Sequence, residues 1–327
     1  MNRSLACAVF VVAVLILPSV LWADGADVPD GPVQVFILAG QSNMVGHGKV
    51  EKGRDPANPE NKNAAGGIGS LRYMVNQDPD RYGAGGAVPL VNEKGDWAVR
   101  NDVWIWSTTD KERPGKLTCG FGHNGWIGPE FGFGHVMGNH LGNPVLIIKT
   151  AWGGKSLAQD FRPPSSEGET GPYYEKMITL VNQVLSDLEG HFPQLQNREY
   201  EIAGFGWHQG WNDRINDSFV RQYEQNLANL IRDVREDLGV EDLPVVVATT
   251  GMGGSDDYKE LAREQAAVAG HDEFKDTVAV VRTRKFWRPP EKSPSKFGYH
   301  WCHNGETHYL IGDAMGRAMK QLIGNED

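Results

Sequence analysis

Short runs of apolar residues recur along the chain and predict β-strands. A brief, nearly continuous apolar run is typical of a parallel strand that is covered on both faces. The runs that fit this pattern lie at 33–38, 145–150, 200–207, 243–249 and 278–281. Between them, apolar residues repeat every three or four positions, which predicts amphipathic helices. These helices lie at 129–141, 173–188, 219–238, 258–269 and 309–323. Strands alternating with helices predict a three-layer α/β/α sandwich with a mostly parallel sheet of about five strands.

A long segment at 46–129 interrupts this alternation. It is rich in Gly, Asn, Asp and Pro and has weak periodicity, apart from strand candidates near 97–99 and 103–106. Loops of this length inside a domain are usually functional. The chain has 10 Trp and 40 Gly, and aromatic faces stack on the apolar faces of sugar rings. We therefore expect Trp97, Trp104 and Trp106 to form a sugar-facing wall, with Trp104 as a substrate contact.

Polar or small residues follow four of the predicted strands. They are Ser42, the pair Gly153 and Gly154, the pair Asn212 and Asp213, and Gly251. The carboxyl ends of parallel strands share one edge of a sheet, where ligands bind. Acyl transfer needs a nucleophile, a base and donors for an oxyanion, and this edge supplies a serine, backbone N–H groups and an amide. A serine alone at such a place would more often cap a helix.

The N-terminal segment predicts export. Residues 1–23 carry Arg3, an apolar stretch and a small residue, Ala23, before an acidic start, the pattern of a cleaved signal peptide. A membrane anchor would need a run of about 20 apolar residues, which is longer than this one. We expect a single domain at 24–327, exported to the periplasm or beyond, with the excursion at 46–129. The net charge of −10 argues against a nucleic-acid partner, and no membrane span is expected after cleavage.

Four motifs together resemble the blocks of the SGNH hydrolases. They are Gly40-Gln41-Ser42-Asn43-Met44, Gly153-Gly154, Gly210-Trp211-Asn212-Asp213 and a histidine near the C-terminus. Within that superfamily, whose fold is flavodoxin-like, the chain is similar to the sialate O-acetylesterase branch, including the acetylxylan esterases of carbohydrate esterase family 6. The resemblance implies a serine hydrolase that removes acetyl groups from a glycan without a cofactor. It implies Ser42 as nucleophile and an oxyanion hole from the Ser42 N–H, Gly153 or Gly154, and Asn212.

The catalytic base is an open choice among three histidines. The superfamily places an Asp three residues before its histidine, but Phe297, His300 and Gly305 precede His300, His303 and His308 by that spacing. We expect His300 to be the base because it lies before the last helix, with His303 as the alternative. Candidates for the orienting acid are Asp213, Glu306 and Asp313.

Further predictions concern the surroundings of the site. We expect Gln41, Asn43, His208 and Gln209 to contact substrate, although His208 and Gln209 also fit a structural pair. Relatives carry Glu where this chain has Trp211, so an inactive sugar-binding protein on the same fold is the alternative function. The C-terminal histidines and Cys302 are ligand types for zinc, but their spacing matches no common motif and no metal site is expected. Cys119 and Cys302 are candidates for a disulfide in an exported protein.

Overall fold

The computed structural model describes residues 28–253 and 258–324 and has the predicted α/β/α architecture. The predicted leader at 1–23 lies outside these residues. Within them, seven strands form the central sheet, and β2 and β3 pair separately. In chain order the strands are β1 (Val33–Gly40), β2 (Lys52–Gly53), β3 (Ala64–Ala65), β4 (Val103–Ser107), β5 (Arg113–Lys116), β6 (Val145–Ala151), β7 (Tyr200–His208), β8 (Val245–Ala248) and β9 (Val278–Val281).

The sheet is parallel except at one edge. Its strand order is β5-β4-β6-β1-β7-β8-β9, and only β5 runs antiparallel to its neighbour. Two strands more than the predicted five are present because the excursion at 46–129 contributes β4 and β5. The predicted strand near 103–106 is thereby confirmed, whereas Trp97 makes only an isolated bridge with Val91.

Helices cover both faces of the sheet. They are α1 (Ser42–Val45), α2 (Leu71–Gln77), α3 (Pro79–Tyr82), α4 (Pro129–His140), α5 (Pro172–Ser186), α6 (Leu188–His191), α7 (Asp217–Leu238), α8 (Lys259–Ala267) and α9 (Gly305–Ile323). The cores on the two faces are separate: α5, α7 and α8 pack on one, and α2, α4 and α9 on the other. In β1, Val35 and Ile37 enter the first core while Phe36 and Leu38 enter the second. Burial on both faces is why this strand is apolar at consecutive positions.

The last helix begins earlier than its apolar periodicity indicates. The Asn304 side chain accepts a hydrogen bond from the Thr307 N–H at 3.0 Å and so caps α9. Asparagine at this position satisfies an N–H group that the first turn leaves without a partner. As a result His308 lies inside the helix rather than at its entrance. Across the described ranges, no helix combines the length and apolar character that crossing a bilayer requires.

Candidate active site

Three neighbouring strands end level with one another at the carboxyl edge of the sheet. In the centre, Gly40 of β1 pairs with Ala151 of β6 on one side and with His208 of β7 on the other. The chain leaves β1 toward one side of the sheet and later continues on the other, so β1 lies at the topological switch. Ligands of open α/β sheets bind at this point. The register therefore brings together the loops that begin at Gln41, Trp152 and Gln209.

Ser42 lies at a sharp turn from strand to helix. Gly40 has φ +151°, and a Cβ atom there would lie 2.2 Å from the His208 carbonyl oxygen, so no other residue fits. Ser42 is the first residue of α1 and is 8% exposed. Its backbone N–H donates to no other described residue. The turn thus holds the hydroxyl and a free N–H donor together at the edge of the sheet.

The Gln41 side chain joins this turn to the loop after β7. Its Oε1 accepts hydrogen bonds from the backbone N–H groups of Gly210 at 3.0 Å and Asn212 at 3.3 Å. It also accepts from Gln209 Nε2 at 3.2 Å. Gln41 therefore fixes the position of Asn212 relative to Ser42.

The loop after β6 presents its glycines to solvent. Gly153 and Gly154 are exposed, an added Cβ would meet nothing within 4 Å, and their N–H groups donate to no described residue. The Asn212 Nδ2 donates to the Gly154 carbonyl oxygen, which places the amide beside this loop. Three predicted oxyanion donors, at Ser42, Gly153 and Gly154, are thus unpaired backbone N–H groups on adjacent loops.

Asp213 supports the same loop from beneath. Its carboxylate accepts hydrogen bonds from the N–H groups of Leu157 at 3.0 Å and Ala158 at 2.9 Å. Burial raises the pKa of Asp213 to about 6, against the effect of these donors and of Gln209. The carboxylate is fully engaged in holding the loop, so its place in the structure does not fit the predicted role of orienting a histidine.

A tight turn at Gly298–His303 carries two of the candidate bases. Its residues Trp301, Cys302 and His303 have φ of +52°, +54° and +57°, values that cost energy for residues with a side chain. The turn is held by the burial of Trp301 and by two backbone hydrogen bonds. The Ser295 N–H donates to the Cys302 carbonyl oxygen at 3.0 Å, and the Cys302 N–H donates to the Phe297 carbonyl oxygen at 3.1 Å. The turn packs against α1. Cys302 and Cys119 are both free thiols, so they form no disulfide.

His300 and His303 are half-buried, whereas His308 is completely buried. Burial lowers the pKa of His300 to about 4, helped by His303 and His123. Burial likewise lowers the pKa of His303 to about 4, helped by Lys49 and His123. Both imidazoles are therefore neutral at neutral pH and able to accept a proton.

No carboxylate among the described residues is hydrogen-bonded to His300 or His303. Of the other acid candidates, Glu306 pairs with Arg288 at 2.7 Å and Asp313 pairs with Arg317 at 2.7 Å. Trp211 packs against Tyr258 and Tyr299. The ring plane of His300 is instead set by stacking: the His47 ring lies parallel to it with centroids 3.7 Å apart.

The five predicted substrate contacts are all buried, as is Trp106 of the predicted wall. Trp104 is 1% exposed and lies in the core beneath the sheet, so it cannot contact a sugar, and Trp106 is 4% exposed. The others are 1–2% exposed and brace the strand ends from within: Gln41, Asn43, His208 and Gln209. The sequence alone could not show that these tryptophans are buried. Because β4 is covered on both faces, every one of its side chains is buried, whichever face it points to.

Exposed aromatic side chains lie elsewhere, around the histidine turn. Phe297 is 45% exposed and Tyr299 is 38% exposed. Trp126 lies 5.2 Å from His303 between ring centroids, and Trp211 lies 5.7 Å from Tyr299. Exposed aromatic rings are therefore found at the histidine turn and not at Trp104 or Trp106.

A buried ion pair that the sequence patterns did not reveal supports α1, the helix that begins at Ser42. Lys149 Nζ lies 3.0 Å from Glu130 Oε2, and both side chains are at most 1% exposed. The ammonium also donates to the carbonyl oxygens of Val45, the last residue of α1, at 2.9 Å and of Phe121 at 2.6 Å. A cation at the C-terminal end of a helix is favourable. A lysine inside an apolar strand was the available signal, since such a charge needs a buried partner.

Replacing Lys149 with methionine should lower the free energy of unfolding by about 3–5 kcal/mol, because it leaves the Glu130 carboxylate buried without its partner. The double variant Lys149→Met/Glu130→Gln should recover part of this loss. Arg232→Met, which breaks a surface pair with Glu273, is the control and should cost less than about 1 kcal/mol. Urea unfolding followed by tryptophan fluorescence measures all three. A loss for Lys149→Met as small as that of Arg232→Met would contradict the supporting role.

Comparison with known proteins identifies relatives of this chain. A family model described as carbohydrate esterase, sialic acid-specific acetylesterase, matches residues 32–291. A probable carbohydrate esterase from Arabidopsis thaliana is 26% identical over 242 residues, 72% of this chain and 75% of the relative.

Two solved structures align with most of this chain, and the first of them has a similar fold. An Arabidopsis thaliana protein superposes with a TM-score of 0.55 at 20% identity, covering 88% of this chain and 98% of that one. A carbohydrate acetylesterase from Xanthomonas citri has a TM-score of 0.49 at 15% identity, covering 88% of this chain and 56% of that one.

The family match covers Ser42, the Gly153-Gly154 pair and Asn212, but it ends before the histidine turn. The identity of the base therefore depends on the structure rather than on the match. Since the model spans well over half of the chain, this chain belongs to the carbohydrate esterase family described as sialic acid-specific acetylesterases.

Proposed function

We propose that the protein is an exported carbohydrate esterase of the family 6 branch that removes O-acetyl groups through a serine acyl-enzyme. The observation that carries the proposal is the aligned carboxyl edge of β1, β6 and β7. The Ser42 hydroxyl and the unpaired N–H groups of Ser42, Gly153 and Gly154 lie on the adjacent loops that follow these strands. Export by the leader at 1–23 is part of the proposal and is supported by the sequence pattern alone.

The chemistry follows from the arrangement of these groups. Ser42 Oγ attacks the acetyl carbonyl carbon while the base takes the hydroxyl proton. The unpaired N–H groups at Ser42 and Gly153 hydrogen-bond to the oxygen as it becomes negative, and the Asn212 amide lies beside them. The sugar hydroxyl leaves with the proton from the base. Water, deprotonated by the same base, then releases acetate and restores Ser42. Each oxyanion donor is worth roughly 100-fold or more in rate.

We assign the base to His300. Its ring is held by the parallel His47 ring at 3.7 Å, and the turn that carries it packs against α1. The role of an orienting group is to fix ring position and tautomer, and in this chain stacking supplies the position without a carboxylate.

The exposed aromatic surface around the turn is the proposed sugar-binding wall. The rings of Phe297 and Trp126 lie beside His303, and that of Tyr299 lies beside His300. Trp211 extends this surface through its contact with Tyr299. Aromatic faces stack on the apolar faces of pyranose rings. This surface would hold the sugar so that its acetyl group reaches Ser42.

A sugar-binding protein without turnover is the second candidate. The observation that favours it is the lack of a carboxylate hydrogen-bonded to His300 or His303 in the described part of the chain, with Trp211 in place of the Glu of relatives. A binder would keep the aromatic wall and need no base.

Acetate release distinguishes the two functions. Purified protein is incubated with 4-nitrophenyl acetate, acetylated xylan and O-acetylated sialic acid, and acetate is measured enzymatically. We expect hydrolysis of the aryl ester and of at least one glycan, with the glycan rate lowered about 10-fold in Tyr299→Ala through lost stacking while the aryl ester rate changes little. Binding of a glycan without acetate release from any substrate would overturn the esterase and support the binder.

A further inference from the structure

Three histidines from distant parts of the sequence meet beside the proposed active site. His47, His300 and His303 each have one ring nitrogen that lies within 4.8 Å of the corresponding nitrogen of the other two. His47 is 253 positions from His300, so no linear motif contains this group. None of the three imidazoles makes a hydrogen bond to another described residue. Their nitrogen lone pairs are therefore free to bind an ion.

The spacing is close to what a transition-metal ion requires. Zinc binds histidine nitrogen at about 2.0–2.1 Å, which puts two tetrahedral ligands roughly 3.4 Å apart. To reach this separation from within 4.8 Å, the three rings would have to rotate about their side-chain bonds. His47 and His300 are stacked in parallel in the free protein, so binding would tilt these two rings until their lone pairs converge.

The backbone that carries these residues is fixed. The Lys49 N–H donates to the His303 carbonyl oxygen at 3.1 Å, which joins the segment after His47 to the histidine turn. On the other side, the Gly48 N–H donates to the Ile127 carbonyl oxygen at 2.9 Å. Gly46 has φ +97°, and a Cβ there would lie 2.4 Å from the Gly128 nitrogen. The ligands therefore need to reorganise their rings but not their backbone, which favours binding.

The surroundings set the kind of ion and its affinity. Imidazole ligands favour Zn²⁺, Cu²⁺ and Ni²⁺ over Mg²⁺ and Ca²⁺. A fourth histidine, His123, lies beside these three, with its ring centroid 5.0 Å from that of His47. Its Nδ1 is hydrogen-bonded to the Asp110 carboxylate at 2.7 Å. A carboxylate on the far nitrogen is the usual support of a metal-binding histidine. Lys49 lies near His303 and opposes a cation, so we expect affinity in the micromolar range.

We infer that His47, His300 and His303 form a binding site for a divalent transition-metal ion and that occupation of this site inhibits the esterase. The inhibition rests on the proposed function, because a metal on His300 takes the lone pair that would accept the Ser42 proton. Removal of the ion by a chelator returns the imidazole to its catalytic role.

Zinc binding to the full chain is measured by competition with a chromophoric chelator, which does not depend on activity. We expect one zinc ion per wild-type chain and at least a 10-fold weaker affinity in His47→Ala and in His303→Ala. His140→Ala is the matched control: His140 contacts Gly324 at the far end of α9, roughly 28 Å along the helix from the turn, and should bind zinc as wild type does. Thermal unfolding of each variant shows whether it is folded.

Activity on 4-nitrophenyl acetate is then measured with and without zinc, each variant relative to its own metal-free rate. Zinc should lower the wild-type rate, EDTA should restore it, and His47→Ala should respond at least 10-fold less sensitively. Equal zinc affinity in wild type and folded His47→Ala, or no binding at all, would overturn the site. Zinc binding that leaves the wild-type rate unchanged or raises it would overturn the inhibition. If no variant hydrolyses any ester, the proposed function fails, while the competition assay still decides the metal site.

Discussion

Ser42→Ala is expected to lower kcat for ester hydrolysis by at least about 10,000-fold, since removing the nucleophile of a serine hydrolase leaves only the catalysis of its oxyanion donors. The free N–H groups at Gly153 and Gly154 remain in this variant, so substrate should still bind. Acetate release from 4-nitrophenyl acetate and from the best glycan measures the loss. Ser42 is 8% exposed and its hydroxyl makes no hydrogen bond to a described side chain, so the variant should fold normally.

A control and a covalent probe make this result specific. Ser186→Ala, at the C-terminal end of α5, should keep wild-type activity. A fluorophosphonate should add one label per wild-type chain and none to Ser42→Ala, as mass spectrometry of the intact protein would show. Retained activity in folded Ser42→Ala would exclude the acyl-enzyme at this residue.

His300→Ala is expected to lower kcat by about 100- to 10,000-fold, the usual contribution of a general base. His303→Ala should lose less than about 10-fold, because in this assignment it borders the base without taking the proton. The two variants form a matched pair: both residues lie in the same turn and are similarly buried.

Chemical rescue separates loss of the base from damage to the turn. Since His300 is partly exposed, imidazole added to the buffer should enter the space left in His300→Ala and restore part of kcat, but it should not help Ser42→Ala. A larger loss in His303→Ala than in His300→Ala, with rescue of His303→Ala alone, would transfer the role of base to His303.

Local sequence patterns predicted most of the fold but missed the role of the excursion. The continuous apolar runs of β1 and β6 predicted doubly covered strands because both faces of such a strand are buried. The excursion at 46–129 was weakly periodic, yet it supplies β4 and β5 to one edge of the sheet. Short strands leave too few positions for a reliable period, so the strand count came out low.

The strand pattern predicted that Ser42 follows β1 at the carboxyl edge of the sheet, and the structure has it there, but the motifs could not assign the residues that surround it. Trp104 was predicted to face the sugar and is buried, because which face of a sheet a tryptophan meets depends on the helices that pack there. Lys149 lies in an apolar run, but its partner Glu130 can be identified only from the structure, in which α4 packs beside β6.

By itself, the sequence determined the α/β alternation, the position of Ser42 after the first strand and the glycines and amide that follow the neighbouring strands. These features are encoded within a few residues of each other, so side-chain period and turn chemistry are enough to identify them. Only the tertiary structure decided that His47 stacks on His300, that His308 is buried within α9, and that no carboxylate of the described residues is hydrogen-bonded to His300 or His303. Such relations join segments hundreds of positions apart, and they follow from how the layers pack rather than from any local pattern.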